Sequence, residues 1–80
     1  MDLNGVIEKI DETSRDYSMP GRVRSLLQKV SDDLKKSKPD LAVRVTTAIY
    51  ELEEVIDDVN IPMHAKTILW DIISDLESIK

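Results

Sequence analysis

The chain of 80 residues has no cysteine and no phenylalanine, one tryptophan, one histidine, two glycines and three prolines. Without cysteine there is neither a disulfide framework nor a thiolate metal site, the usual supports of a fold this small. Stability must then come from well-packed elements, from self-association, or from both. Gly5 and Gly21 stand outside any phosphate-cradling pattern, which excludes a P-loop or a dinucleotide fingerprint. No apolar run approaches the roughly 20 residues of a bilayer-spanning helix. The start, with acidic Asp2, lacks the basic-then-apolar pattern of an export signal. A cytoplasmic protein without a membrane-embedded part is expected.

What is present is charge and aliphatic surface. Hydrophobic residues make up 41% and charged residues 34%, with a net charge of −5 from 16 acidic and 11 basic side chains. That is the composition of one small folded domain and not of a disordered chain. The apolar residues recur at three, four and seven, the period of an α-helix. Four stripes follow: Leu3, Val6, Ile7, Ile10, Ser14 and Tyr17; Val23, Leu26, Leu27, Val30 and Leu34; Leu41, Val45, Ala48, Ile49, Leu52, Val55, Ile56 and Val59; Ala65, Ile68, Leu69, Ile72, Leu76 and Ile79. Strand-like alternation is not sustained anywhere. The pattern predicts an all-α fold with helices over about 2–16, 19–36, 39–58 and 61–79.

The punctuation agrees. Ser18-Met19-Pro20 and Asn60-Ile61-Pro62 each set a capping side chain two positions before a proline, and proline is tolerated in a helix's first turn. Ser37 or Lys38 before Pro39 plays the same part for the third helix, with Asp40 placed favourably against its dipole. Short connections make successive helices antiparallel neighbours. Shifting the chain by 42 residues lays Pro20 on Pro62, Ile10 on Leu52, Asp16 on Asp58, Met19 on Ile61 and Leu27 on Leu69 without a gap. The spacing is that of HEAT-type helix-pair repeats. Two copies fall short of a solenoid, so the expected architecture is an up-and-down four-helix bundle of two antiparallel helical hairpins closed face to face.

The stretches Asp40-Leu41-Ala42-Val43-Arg44 and Asn60 to Trp70, with the Asp2-Leu3-Asn4 start and the Leu76-Glu77 end, resemble the archaeal uncharacterised protein family 0147. Val59 and Lys66 depart from the proline and arginine usual there. The resemblance implies a cytoplasmic archaeal four-helix bundle and no activity, so it brings no catalytic residues.

Charge is unevenly spread. Residues 22–38 hold six cations and two carboxylates, whereas residues 39–60 hold six carboxylates and one cation. Arg22, Lys29 and Lys36 fall at heptad spacing on one face of the second helix. Such a stripe suits phosphate, since clustered cations gain affinity by counterion release. It equally suits an intramolecular offset to the acidic third helix, and Tyr17 is the only aromatic nearby for stacking. Glu54, Asp57 and Asp58 could share one face as oxygen ligands, yet EF-hand spacing and the Glu-x-x-His pair of di-iron bundles are absent. His64 is the single histidine, and no nucleophile elbow or Ser-x-x-Lys set surrounds the hydroxyls. No enzyme, metal or cofactor is expected.

A second, smaller apolar face stands out. Val43 and Tyr50 lie opposite the core stripe of the third helix, and Met63 and Trp70 lie off that of the fourth, each pair seven residues apart. Exposed aromatic and methionine side chains mark interfaces, although Trp70 could also fold over the helix edge toward the core. The leading expectation is a non-enzymatic interaction module that self-associates, most simply as a homodimer, or docks a protein partner through Val43, Tyr50, Met63 and Trp70. The alternative is an RNA- or ribosome-associated protein using Arg22, Lys29 and Lys36.

Overall fold

The computed structural model describes residues 2–79. It contains four helices: α1 (Leu3–Ser14), α2 (Gly21–Lys35), α3 (Leu41–Ile56) and α4 (Met63–Glu77). At 1.5 Å per residue they run about 18–24 Å, in keeping with a molecule of 32 × 22 × 20 Å. Linkers of five or six residues turn the chain back each time. α1 packs on α2, α2 on α3, α3 on α4 and α4 again on α1, so the helices form a closed ring. The second pair therefore covers the first. No described helix is long and apolar enough to cross a membrane.

The four stripes meet inside this ring. Val6, Ile10, Val23, Leu27, Val30, Leu52, Ala65, Leu69, Ile72 and Leu76 are wholly buried. Two stripe members are misplaced by periodicity alone. Tyr17 is 86% exposed and Val59 90% exposed, because the helices end before them and the 100° rotation no longer applies. Met19 and Ile61 take over, tucking under the bundle end from the turns. Ile73 and the polar Ser31 also join the core.

The helix boundaries are tighter than periodicity suggests, and the turns show why. Asp16 Oδ1 accepts the Ser18 N–H and Asp58 Oδ1 accepts the Asn60 N–H, each at 2.9 Å. The Met19 N–H reaches Asp16 O at 3.0 Å and the Ile61 N–H reaches Asp58 O at 3.1 Å. These aspartate-centred turns fix residues 16–19 and 58–61 outside the helices. Ser18 and Asn60 consequently do not cap with their side chains. The N-cap positions are Pro20 and Pro62, whose carbonyls accept the Arg24 and Lys66 N–H groups at 3.0 and 3.1 Å. Asp40, not Ser37 or Lys38, is the N-cap residue of α3 and makes no side-chain capping bond. α1 is capped by Asp2, which accepts the Gly5 N–H at 2.8 Å.

Positions 42 residues apart find equivalent surroundings. Val6 and Ala48, Ile10 and Leu52, Val23 and Ala65, Val30 and Ile72, and Leu34 and Leu76 are buried in pairs. The ties between helix pairs correspond as well, with their sign reversed. Lys9 of α1 reaches Asp71 and, at 2.7 Å, Asp75 of α4; Glu51 of α3 holds Lys29 of α2 at 2.7 Å.

Two polar clamps sit where the correspondence breaks. The buried Ser31 hydroxyl donates to Asp11 Oδ1 while Lys35 Nζ lies 3.2 Å from Asp11 Oδ2, joining α1 to α2. The Arg44 guanidinium donates to Pro39 O at 2.8 Å and to Leu34 O at 2.7 Å. A cation thus satisfies carbonyls at the C-terminal end of α2, where the helix dipole favours positive charge. Arg44→Met is expected to cost about 1–2 kcal/mol in urea unfolding, with faster amide exchange over residues 35–40. An unchanged unfolding curve and exchange pattern would remove Arg44 from this role.

Candidate interaction surfaces

The α3–α4 face is built by two adjacent antiparallel helices with different rotations. On α3, Arg44 and Glu51 reach α2, which turns Val43 and Tyr50 straight outward. On α4, Asp71 and Asp75 face α1, which turns Met63 and Trp70 outward on the side of α3. Exposure follows: Val43 49%, Tyr50 65%, Met63 74% and Trp70 53%. Trp70 therefore keeps half its surface in solvent instead of joining the core.

Between the helices runs an open groove of about 610 Å³, walled by Leu41, Val45 and Ile49 of α3 and by Leu76 and Ile79, with Glu77 at its edge. A shallower depression of about 280 Å³ holds Val43 and Tyr50 and shares Ala42 and Thr46 with the groove. Ala42 and Glu77 both line the groove, and Tyr50 eight residues on from the first and Trp70 seven back from the second come to nearly the same level. Val43 and Tyr50 thus lie on the flank of the groove, while Met63 and Trp70 line neither depression and stand exposed on α4. The groove itself is not legible in the sequence, because it depends on how far apart α3 and α4 pack. The equivalent seam between α1 and α2 is drawn together by Asp11, Ser31 and Lys35.

The basic stripe of α2 has a different character. Arg22 pairs with Asp58; Lys29 lies 3.0 Å from Asp33 and 2.7 Å from Glu51; Lys36 lies 3.1 Å from Asp33. Arg24 covers the Tyr17 ring at 4.8 Å and donates to Met19 O. A phosphate approaching Arg22, Lys29 or Lys36 would compete with carboxylates already in place. The acidic trio is likewise divided, because Asp58 is committed to Arg22 and to the Asn60 N–H. His64 Nε2 lies 3.0 Å from Ser18 O on the surface. Among the described residues, no group of three or more His, Asp or Glu side chains is disposed to hold a metal ion.

These pairs set the pH response. The Ser31 hydroxyl holds the Asp11 carboxyl below its ordinary 3.8, and the Lys29 ammonium does the same for Asp33. The hydrogen bonds that the Lys9 ammonium donates to Asp71 and Asp75 raise it above 10.5, and the one that Lys29 donates to Glu51 raises Lys29. A lowered carboxyl stabilises the fold above its unfolded value and ceases to do so as pH falls through the folded one. A raised ammonium stabilises below 10.5 and ceases to do so as pH rises through its folded value. The urea midpoint should therefore stay level from about pH 5 to 9 and fall outside that range. A steep slope within it would contradict the assignment. The individual steps are small, since exposed pairs each contribute at most about 1 kcal/mol.

The family model described as "Uncharacterised protein family (UPF0147)" matches residues 1–79. A UPF0147 protein of Methanocaldococcus jannaschii is 36% identical over 98% of this chain and 84% of its own length. One from Methanothermobacter thermautotrophicus is 38% identical over 98% of this chain and 76% of its own length. The crystal structure of a protein from uncharacterized family UPF0147 from Thermoplasma acidophilum superposes with a TM-score of 0.88 at 36% identity, covering 95% of this chain and 89% of that one.

Proposed function

The chain belongs to the uncharacterised protein family UPF0147, whose description assigns no activity, and we propose from the chain's own surface that it is a cytoplasmic, non-enzymatic interaction module. Its docking face is the outer side of α3 and α4, centred on Tyr50 and Trp70 and extended by Val43 and Met63.

One observation carries this reading. The positions 42 residues before Tyr50, Met63 and Trp70 are Glu8, Gly21 and Gln28, exposed residues on the other helix pair. The same scaffold thus accepts polar or small residues at these sites, so packing does not require the apolar ones. Aromatic and methionine side chains on such a surface are the usual anchors of protein interfaces. Catalysis has less support, because the titratable groups on this face converge on no enclosed cavity.

The test compares two baits in an archaeal lysate, the wild-type chain and Tyr50→Glu/Trp70→Gln. Proteins retained by the first and lost by the second are expected. Identical captured sets would overturn the reading. Because Trp70 is the single tryptophan, its emission should be that of a largely hydrated indole in the free protein and move to the blue on docking.

A further inference from the structure

Resting on the docking reading above, we infer that the α3–α4 groove takes a basic amphipathic helix of another protein and not a second copy of this chain. The shape comes first. The groove has apolar walls from Leu41, Val45, Ile49, Leu76 and Ile79, and Tyr50 and Trp70 stand just past its Ile49 end on the same face. α3 offers about 18 Å from Leu41 to Glu53, enough for three turns or more of a helix. A helix laid along it would present an apolar stripe at i, i+3, i+4 and i+7, the usual mode of helix-in-groove recognition.

Charge selects the occupant. Glu53, Glu54 and Asp57 stand toward one end of the face and Glu77 at the other. None of the four takes part in an ion pair among the described residues. Lys66 is the one cation on this face among the described residues. A second copy brought face to face sets carboxylate against carboxylate in either direction of the two-fold. Parallel helices would oppose the Glu53 ends, and antiparallel ones would oppose Glu77 to the Glu53–Asp57 end. Like charges across an interface count against a partner. Among the described residues, Arg22, Lys29, Lys35 and Lys36 are held on or beside α2 by Asp58, Asp33, Glu51 and Asp11, away from this face. A helix with lysine or arginine flanking its apolar stripe meets both requirements.

The experiment titrates the full chain into dye-labelled 18-residue helical peptides and reads anisotropy and Trp70 emission. One peptide carries leucine on a helical stripe with lysine elsewhere; the other keeps the leucines and replaces lysine by glutamate. Saturable binding of the lysine peptide is expected, at least tenfold tighter than the glutamate peptide, with a blue shift of Trp70. It should weaken several-fold between 50 and 300 mM salt. Tyr50→Glu/Trp70→Gln should abolish it. Glu53→Gln/Glu54→Gln/Asp57→Asn, which leaves the apolar face intact, should weaken it at least fivefold. Glu8→Gln/Glu12→Gln, on exposed positions of α1, should leave it unchanged. Equal loss with the α1 variant, or equal binding of both peptides, overturns the inference while leaving a docking face. Failure of both peptides, with a wild-type dimer that Tyr50→Glu/Trp70→Gln dissociates, assigns the face to a second copy and overturns the inference alone. No peptide binding and a monomer throughout would remove the docking reading as well.

Discussion

Leu69→Ala should lower the unfolding free energy by about 2–5 kcal/mol, among the largest single-residue effects expected in this chain. Leu69 is wholly buried among the residues that close the ring of helices, so truncation removes transfer energy and leaves a cavity. Small domains hold only about 5–15 kcal/mol in total, and this one has no disulfide to support it. The melting temperature should fall by roughly 10 °C or more, given about 4–8 °C per kcal/mol at this size. Leu27, 42 residues earlier, is buried to the same degree, and Leu27→Ala should cost the same to within about 1 kcal/mol. The bracket reflects the known dependence of such costs on local relaxation. Tolerance of one truncation and not the other, in parallel urea curves, would show that the two helix pairs do not share the core equally.

The second large effect falls on binding. Tyr50→Glu/Trp70→Gln replaces the two proposed aromatic anchors by the residues that the other helix pair carries at the same positions, Glu8 and Gln28. Anchors of this kind each contribute about 2 kcal/mol or more. Together their loss should weaken any complex formed through this face by a hundredfold or more, with most of the change in the dissociation rate. Surface plasmon resonance against a captured partner reads both quantities. A loss under tenfold would place the contacts elsewhere.

Much of this architecture is legible in the residues, and the exceptions have physical causes. The 3.6-residue period sets out four helices and nearly all of their buried side chains, because one apolar stripe per helix is all that a small bundle can bury. Tyr17 and Val59 break the rule since periodicity carries on past a helix end that only the Asp16 and Asp58 turns determine. Recognising aspartate two residues before Ser18 and Asn60 as the centre of each turn would have moved both boundaries. The outward Val43–Tyr50 and Met63–Trp70 pairs follow from the same rotation, so the candidate face could be read at once. Its groove could not, nor could the clamps of Arg44 and of Asp11 with Ser31. Those depend on which helices are neighbours and how closely they approach, and a single strand of sequence does not carry that information. Ser31 alone left a trace, as a small polar residue four places after Leu27 on the buried side of α2.

The claim that matters most is that the aromatic surface of α3 and α4 serves binding and is not needed to hold the bundle together. Urea unfolding of Tyr50→Glu/Trp70→Gln tests it most directly. Tyr50 is 65% and Trp70 53% exposed, and the new side chains retain part of the contact made by the old. The expected loss is therefore about 1–2 kcal/mol at most, with helix content unchanged. A loss matching that of Leu69→Ala, or a chain that no longer folds, would show that the two aromatic residues are structural and contradict the account.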